Sequence, residues 1–143
     1  MSEVTLELSW RIRPGGDMRT ERRYLEFIVG AESLLERLGS PDQITHLGCA
    51  STKFEAEYIQ TLLLGSGRVP IYVCPECGDL GCGAIIATVE VTADRVIWRD
   101  FAFENNYEET AARANRYGRI GPIEFNRTSY FQTLNERLTS LSR

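Results

Sequence analysis

The alternation of polar and apolar residues changes period several times along the chain, and each period predicts an element. Val4, Leu6, Leu8, Trp10 and Ile12 alternate with mostly polar residues, which predicts a strand over 3–13. Pro14-Gly15-Gly16-Asp17 follows as a turn, since proline presets φ and glycine accepts positive φ. A second strand over 21–29 carries Leu25, Phe27 and Val29 on one face and pairs with the first as a hairpin. Leu34, Leu35 and Leu38 recur at helical spacing, so a short helix is expected over Ala31–Leu38 with Gly39 as its stop. The segment 40–51 is irregular. Phe54, Tyr58, Ile59, Leu62 and Leu63 then make the apolar stripe of a helix over Thr52–Leu64, ended by Gly65.

After Gly65 the period returns to two. Val69–Val73 and Ala84–Val91 read as strands on either side of a glycine-rich turn, and Thr92-Ala93-Asp94-Arg95 is a further turn. Val96–Phe103 is apolar on both faces around Arg99 and Asp100, which places it centrally in a sheet. The stretch 105–121 is polar, with one weak helix between Tyr107 and Gly118. Ile123–Phe125 is extended, and Asn126 caps a last helix with the stripe Tyr130, Leu134, Leu138 and Leu141. Neighbouring hairpins without βαβ alternation imply an α+β fold, a mainly antiparallel β-sheet with two or three helices packed on one face. The 143 residues make one domain, 1–143, which buries roughly 68% of its unfolded surface and needs no cross-links.

Charge narrows the choice of partners. A net charge of −4 argues against general nucleic-acid binding, which needs a cationic field, and leaves another protein as the expected partner. No apolar run approaches the roughly 20 residues of a membrane span. The N-terminal segment alternates instead of forming the apolar block of an export signal, so a cytoplasmic location with reduced thiols is expected. Lys53 is the only lysine. Arg11, Arg13, Arg19, Arg22 and Arg23 cluster on the hairpin, either as an anion-binding patch or, preferably, as its solvated face.

The densest chemistry is Cys74-Pro75-Glu76-Cys77-Gly78-Asp79-Leu80-Gly81-Cys82, three cysteines spaced C-x2-C-x4-C. Cys-Pro-x-Cys-Gly has the form of a metal knuckle, in which a tight turn brings two thiolates together. A structural zinc ion wants four ligands, so the expected set is Cys74, Cys77, Cys82 and Cys49, with His46 as the alternative fourth. Buried inert thiols are the competing reading. Redox chemistry is disfavoured because no helix starts after Cys77, and Glu76 and Asp79 oppose a thiolate.

The run Val69-Pro70-Ile71-Tyr72-Val73-Cys74-Pro75-Glu76-Cys77-Gly78-Asp79-Leu80-Gly81-Cys82-Gly83-Ala84, followed by Trp98-Arg99-Asp100-Phe101, resembles a group of uncharacterised proteins of GC-rich bacteria. Gly121-Pro122 and the last helix extend the likeness. Members of that group are sometimes labelled oxidoreductases, which implies redox activity without naming catalytic residues.

No phosphate-binding loop, dinucleotide fingerprint, zincin motif or nucleophile elbow occurs. His46 lies three residues from Cys49, so a Cys–His pair is conceivable, though a lone histidine beside a loop is more often structural. Arg99, Asp100 and Glu104 form either a polar site at a strand end or a simple ion pair, the latter preferred. Tyr107, Tyr117, Asn105 and Asn106 offer a binding surface, or a loop packing its own aromatics. Asn126-Arg127-Thr128 matches a glycosylation acceptor but reads better as a helix cap. Two functions remain. One is an interaction protein of the immunity or antitoxin kind with zinc as a structural clip. The other is a thiol- or metal-dependent enzyme using the 74–82 loop.

Overall fold

The computed structural model describes residues 3–39, 41–65, 67–76, 83–104, 117 and 120–142. Among them run β1 (Leu6–Arg13), β2 (Arg22–Val29), β3 (Glu32–Ser33), α1 (Leu34–Arg37), α2 (Thr52–Leu64), β4 (Gly67–Val73), β5 (Ala84–Val91), β6 (Arg95–Glu104), β7 (Ile123–Asn126) and α3 (Arg127–Ser140). The fold is α+β, with helices packed against two antiparallel sheets of order β1-β2-β3 and β4-β5-β6-β7.

The predicted hairpins form. Leu8 faces Phe27 and Trp10 faces Leu25 across β1–β2, while Val73 faces Ala84 across β4–β5, so the cysteine segment does connect two antiparallel strands. Two bridges join the sheets. Val4 N donates to the Glu124 carbonyl at 2.8 Å and Asn126 N donates to the Val4 carbonyl at 3.0 Å. Ile44 and Val73 exchange backbone hydrogen bonds at 3.0 and 2.8 Å. The core runs through both sheets, with Phe27 of the first edge-on to Trp98 of the second at 5.1 Å. Such aromatic pairs add roughly 1 kcal/mol beyond their buried area.

α2 forms where expected because both ends are capped. The Ser51 side chain accepts from Phe54 N at 3.2 Å, and Gly65 ends the helix at φ 63°. A side chain at Gly65 would also strike Val91. Asn126 caps α3 by accepting from Ser129 N at 2.9 Å. The helix expected over Ala31–Leu38 is shorter, because Glu32–Ser33 pairs with β2 and Ser33 becomes the N-cap. The stripe of α2 also differs. Phe54 is 46% exposed, while Glu55 is 1% exposed. The Glu55 carboxylate enters the interior because Arg137 of α3 pairs with it at 2.6 Å and Gly48 N donates to it at 2.9 Å. In β6 an extra residue makes a bulge, with Thr88 opposite Arg99, Ile86 opposite Ala102, and Asp100 at φ 57°.

Candidate functional site

Arg13 and Arg22 are directly opposed across β1–β2 and point to the same face. Like charges placed so are destabilising unless anions intervene. Two carboxylates do. Arg13 grips both oxygens of Asp42 at 3.0 and 2.9 Å, and donates to Glu76 at 2.6 Å and to the Thr20 carbonyl at 2.7 Å. Arg22 donates from Nε to the Pro75 carbonyl at 2.8 Å. The hydrogen bond from Arg13 holds the Asp42 and Glu76 carboxyls below their ordinary values, and Thr20 N adds to the effect on Glu76. Arg13 is therefore neither part of a vacant anion patch nor on a simply solvated face. Arg13 and Arg22 fasten the start of the cysteine segment to the first sheet, and Arg23 stacks on the Trp10 ring at 4.2 Å.

Beside this clamp, between residues of both sheets, a pocket of about 340 Å³ opens. Ile44, Ala50, Phe54, Val73 and Pro75 supply apolar walls, and Arg22, His46, Cys49 and Cys74 line it too. The irregular segment 44–51 spans the gap because its backbone serves both sheets. Ile44 pairs with Val73 of β4, Leu25 N of β2 donates to the Leu47 carbonyl at 2.8 Å, and Thr45 Oγ1 donates to the Leu25 carbonyl at 2.7 Å. His46 is buried with its ring edge-on to Phe54 at 4.8 Å and to Tyr58 at 5.0 Å. The N-terminus of α2 opens onto the pocket at Ser51.

Cys49 and Cys74 are free thiols lining this same pocket. Cys49 Sγ donates to the Thr45 carbonyl at 3.2 Å. Desolvation pushes its pKa up, and although Arg22 pulls the other way, the net shift is upward. A thiol so disposed is a weaker nucleophile than an ordinary cysteine at neutral pH.

The metal expectation is corrected. Among the described residues no group of three or more His, Cys, Asp or Glu side chains could hold a metal ion. Of the expected ligands Cys74, Cys77, Cys82 and Cys49, the first and last share a pocket wall, His46 packs between aromatic rings, and Cys77 and Cys82 lie outside the described residues. A structural zinc clip, and a zinc cofactor with it, is withdrawn as the organising feature, as is the metal-dependent enzyme. The physical reason on view is that the clamp holding the base of the cysteine segment consists of arginines and carboxylates.

The second candidate, Arg99, Asp100 and Glu104, resolves into exposed ion pairs. Arg99 pairs with Asp100 at 2.7 Å and with Glu90 at 3.4 Å, and Arg68 pairs with Glu104. Tyr117 is buried in the core, whereas Asn105, Asn106 and Tyr107 lie outside the described residues. Pattern reading missed the contributions of Arg22, Phe54 and Ala50 to a pocket, since residues from β2, a loop, α2 and β4 meet only in the folded chain. No helix among the described residues is long and apolar enough to cross a membrane. Comparison with protein families, curated proteins and solved structures produced no match for this chain.

Proposed function

We propose that this protein is a binding module for a small, compact, mainly apolar organic acid. The pocket at the junction of the sheets carries the reading. Its volume of about 340 Å³ lies within the range of small-molecule sites, and its walls are largely apolar with a few polar groups. Arg22 supplies a fixed positive charge at one side, and the N-terminus of α2 adds a partial positive charge at another. An anionic headgroup would meet both while an apolar body lies against Ile44, Phe54 and Val73. The raised Cys49 pKa favours binding over thiol catalysis. Two free thiols on the pocket wall suit a reducing cytoplasm.

The test is a melting-temperature screen with a panel of small carboxylic acids, run in parallel on the protein and on Ala50→Trp. The substitution fills the pocket from its loop wall and leaves the Arg13 clamp untouched. Members of the panel should raise the melting temperature of the protein and leave the variant unmoved. A panel that shifts neither protein, or shifts both equally, would overturn the reading.

A further inference from the structure

β1 is an edge strand of the first sheet, with β2 on one side only. Gly30 N donates to the Thr5 carbonyl at 3.1 Å, so the odd-numbered residues of this strand turn their backbone groups toward β2. The even-numbered ones turn outward. Val4 spends its outward groups on β7, and the outward Leu6 carbonyl accepts from Thr133 Oγ1 at 2.8 Å. From Leu8 to Ile12 no strand among the described residues pairs with this edge. Along the same stretch Trp10 is 44% and Ile12 61% exposed. A groove of about 850 Å³ follows the strand, lined by Leu8, Trp10 and Arg11 on one side and by Glu136 of α3 on the other. Unpaired edges with apolar side chains recruit further strands.

The occupant is readable from the strand itself. We propose that β1 pairs antiparallel with β1 of a second copy about a two-fold axis through Ser9. That register sets Leu8 opposite Trp10 on one face, while Leu6, opposite Ile12, keeps its outward carbonyl on Thr133. It sets Glu7 opposite Arg11 on the other face, twice per dimer by symmetry. The backbone agrees, since Leu8 and Trp10 both turn outward and can exchange hydrogen bonds. Arg11 has a loose partner in Glu36 at 3.9 Å, with both side chains largely in solvent, so it can change partner. Moving the axis by two residues to Arg11 would put arginine against arginine, and moving it by one, to Leu8 or Trp10, would part Glu7 from Arg11. The Trp10 ring is already held in place between the Arg23 guanidinium and the bare backbone of Gly48.

The experiment is sedimentation of the full chain over a concentration series, with four variants. The protein should pass from monomer to dimer. Leu8→Pro removes an outward N–H, the one that would reach the partner's Trp10 carbonyl, without touching the ladder to β2, and should weaken the dimer. Glu7→Arg and Arg11→Glu each create two like-charge contacts and should each weaken it about tenfold, a change of about 1.4 kcal/mol. The double variant Glu7→Arg with Arg11→Glu should recover the dimer. A protein that stays monomeric throughout, or a dimer indifferent to both charge reversals, would overturn the proposal. If Leu8→Pro fails to fold, the charge exchange decides alone, because Glu7 and Arg11 are exposed.

Discussion

Two stretches of the same interface between β2 and β4 are built in opposite ways. At Glu26 the sheets are locked together. This carboxylate is 1% exposed and accepts from Phe27 N at 2.9 Å, Leu35 N at 3.0 Å, Ser33 Oγ at 2.6 Å and the Tyr72 hydroxyl at 2.6 Å. One side chain thus ties β2 to β3, to α1 and to the second sheet. Four residues back along β2, Arg22 bonds backbone carbonyls of the segment following β4, and a pocket takes the place of packed side chains. The difference teaches that the pocket is a site where closure is withheld beside a site where closure is complete. A cavity can persist when its neighbours are over-determined.

The comparison breaks most sharply at Glu26. Glu26→Ala strands two hydroxyls and two amides in the interior, and should lower the unfolding free energy by roughly 3 kcal/mol or more in denaturant titration. Tyr72→Phe removes one of the four donors and leaves the carboxylate three others. It should cost about 1–2 kcal/mol, measured the same way. The Tyr72 phenol itself sits well above its ordinary pKa, chiefly by burial and further by the charge of Glu26. Equal costs for the two substitutions would mean that Glu26 serves Tyr72 alone and does not knit three elements.

A smaller effect is expected at the open end, and it depends on pH. Arg13 holds Asp42 and Glu76 below the unfolded values of 3.8 and 4.5. Their contribution is complete above those values and disappears as the pH falls through the depressed ones. Acid should therefore release the base of the cysteine segment as the pH falls through those depressed values. The Thr20 amide, which donates to the Glu76 carboxylate, should lose its protection there, and Arg13→Gln should show fast exchange at this amide already at neutral pH. Protection at this amide that stays constant down to global acid unfolding would contradict the clamp.

How much of this was legible in the sequence follows from what pattern can encode. Strands and caps were readable because their signals are local, as in the alternation of β1 and the Ser51 and Gly65 ends of α2. The division into two sheets was not, because it depends on bridges made by single residues, Val4 and Ile44, far from their partners. Glu26, Glu55 and Arg13 look like solvent-facing positions in an alternating or helical pattern. Their burial depends on partners 46, 82 and 63 residues away. Cys49 and Cys74, grouped as expected metal ligands, do line one pocket, but no metal-holding cluster stands there among the described residues. Cysteine spacing reports proximity, whereas the apolar walls that make a pocket come from four separated segments.

Binding of an acid in the junction pocket through Arg22 is tested most directly by calorimetric titration. The best acid from the melting screen is titrated against the protein and against Arg22→Gln, alongside its uncharged primary amide. The amide should bind the protein at least about tenfold more weakly, since a charge-assisted hydrogen bond contributes roughly 1.5–3 kcal/mol. In Arg22→Gln the acid should fall to the level of the amide. Equal affinity of acid and amide for the unaltered protein would contradict the account.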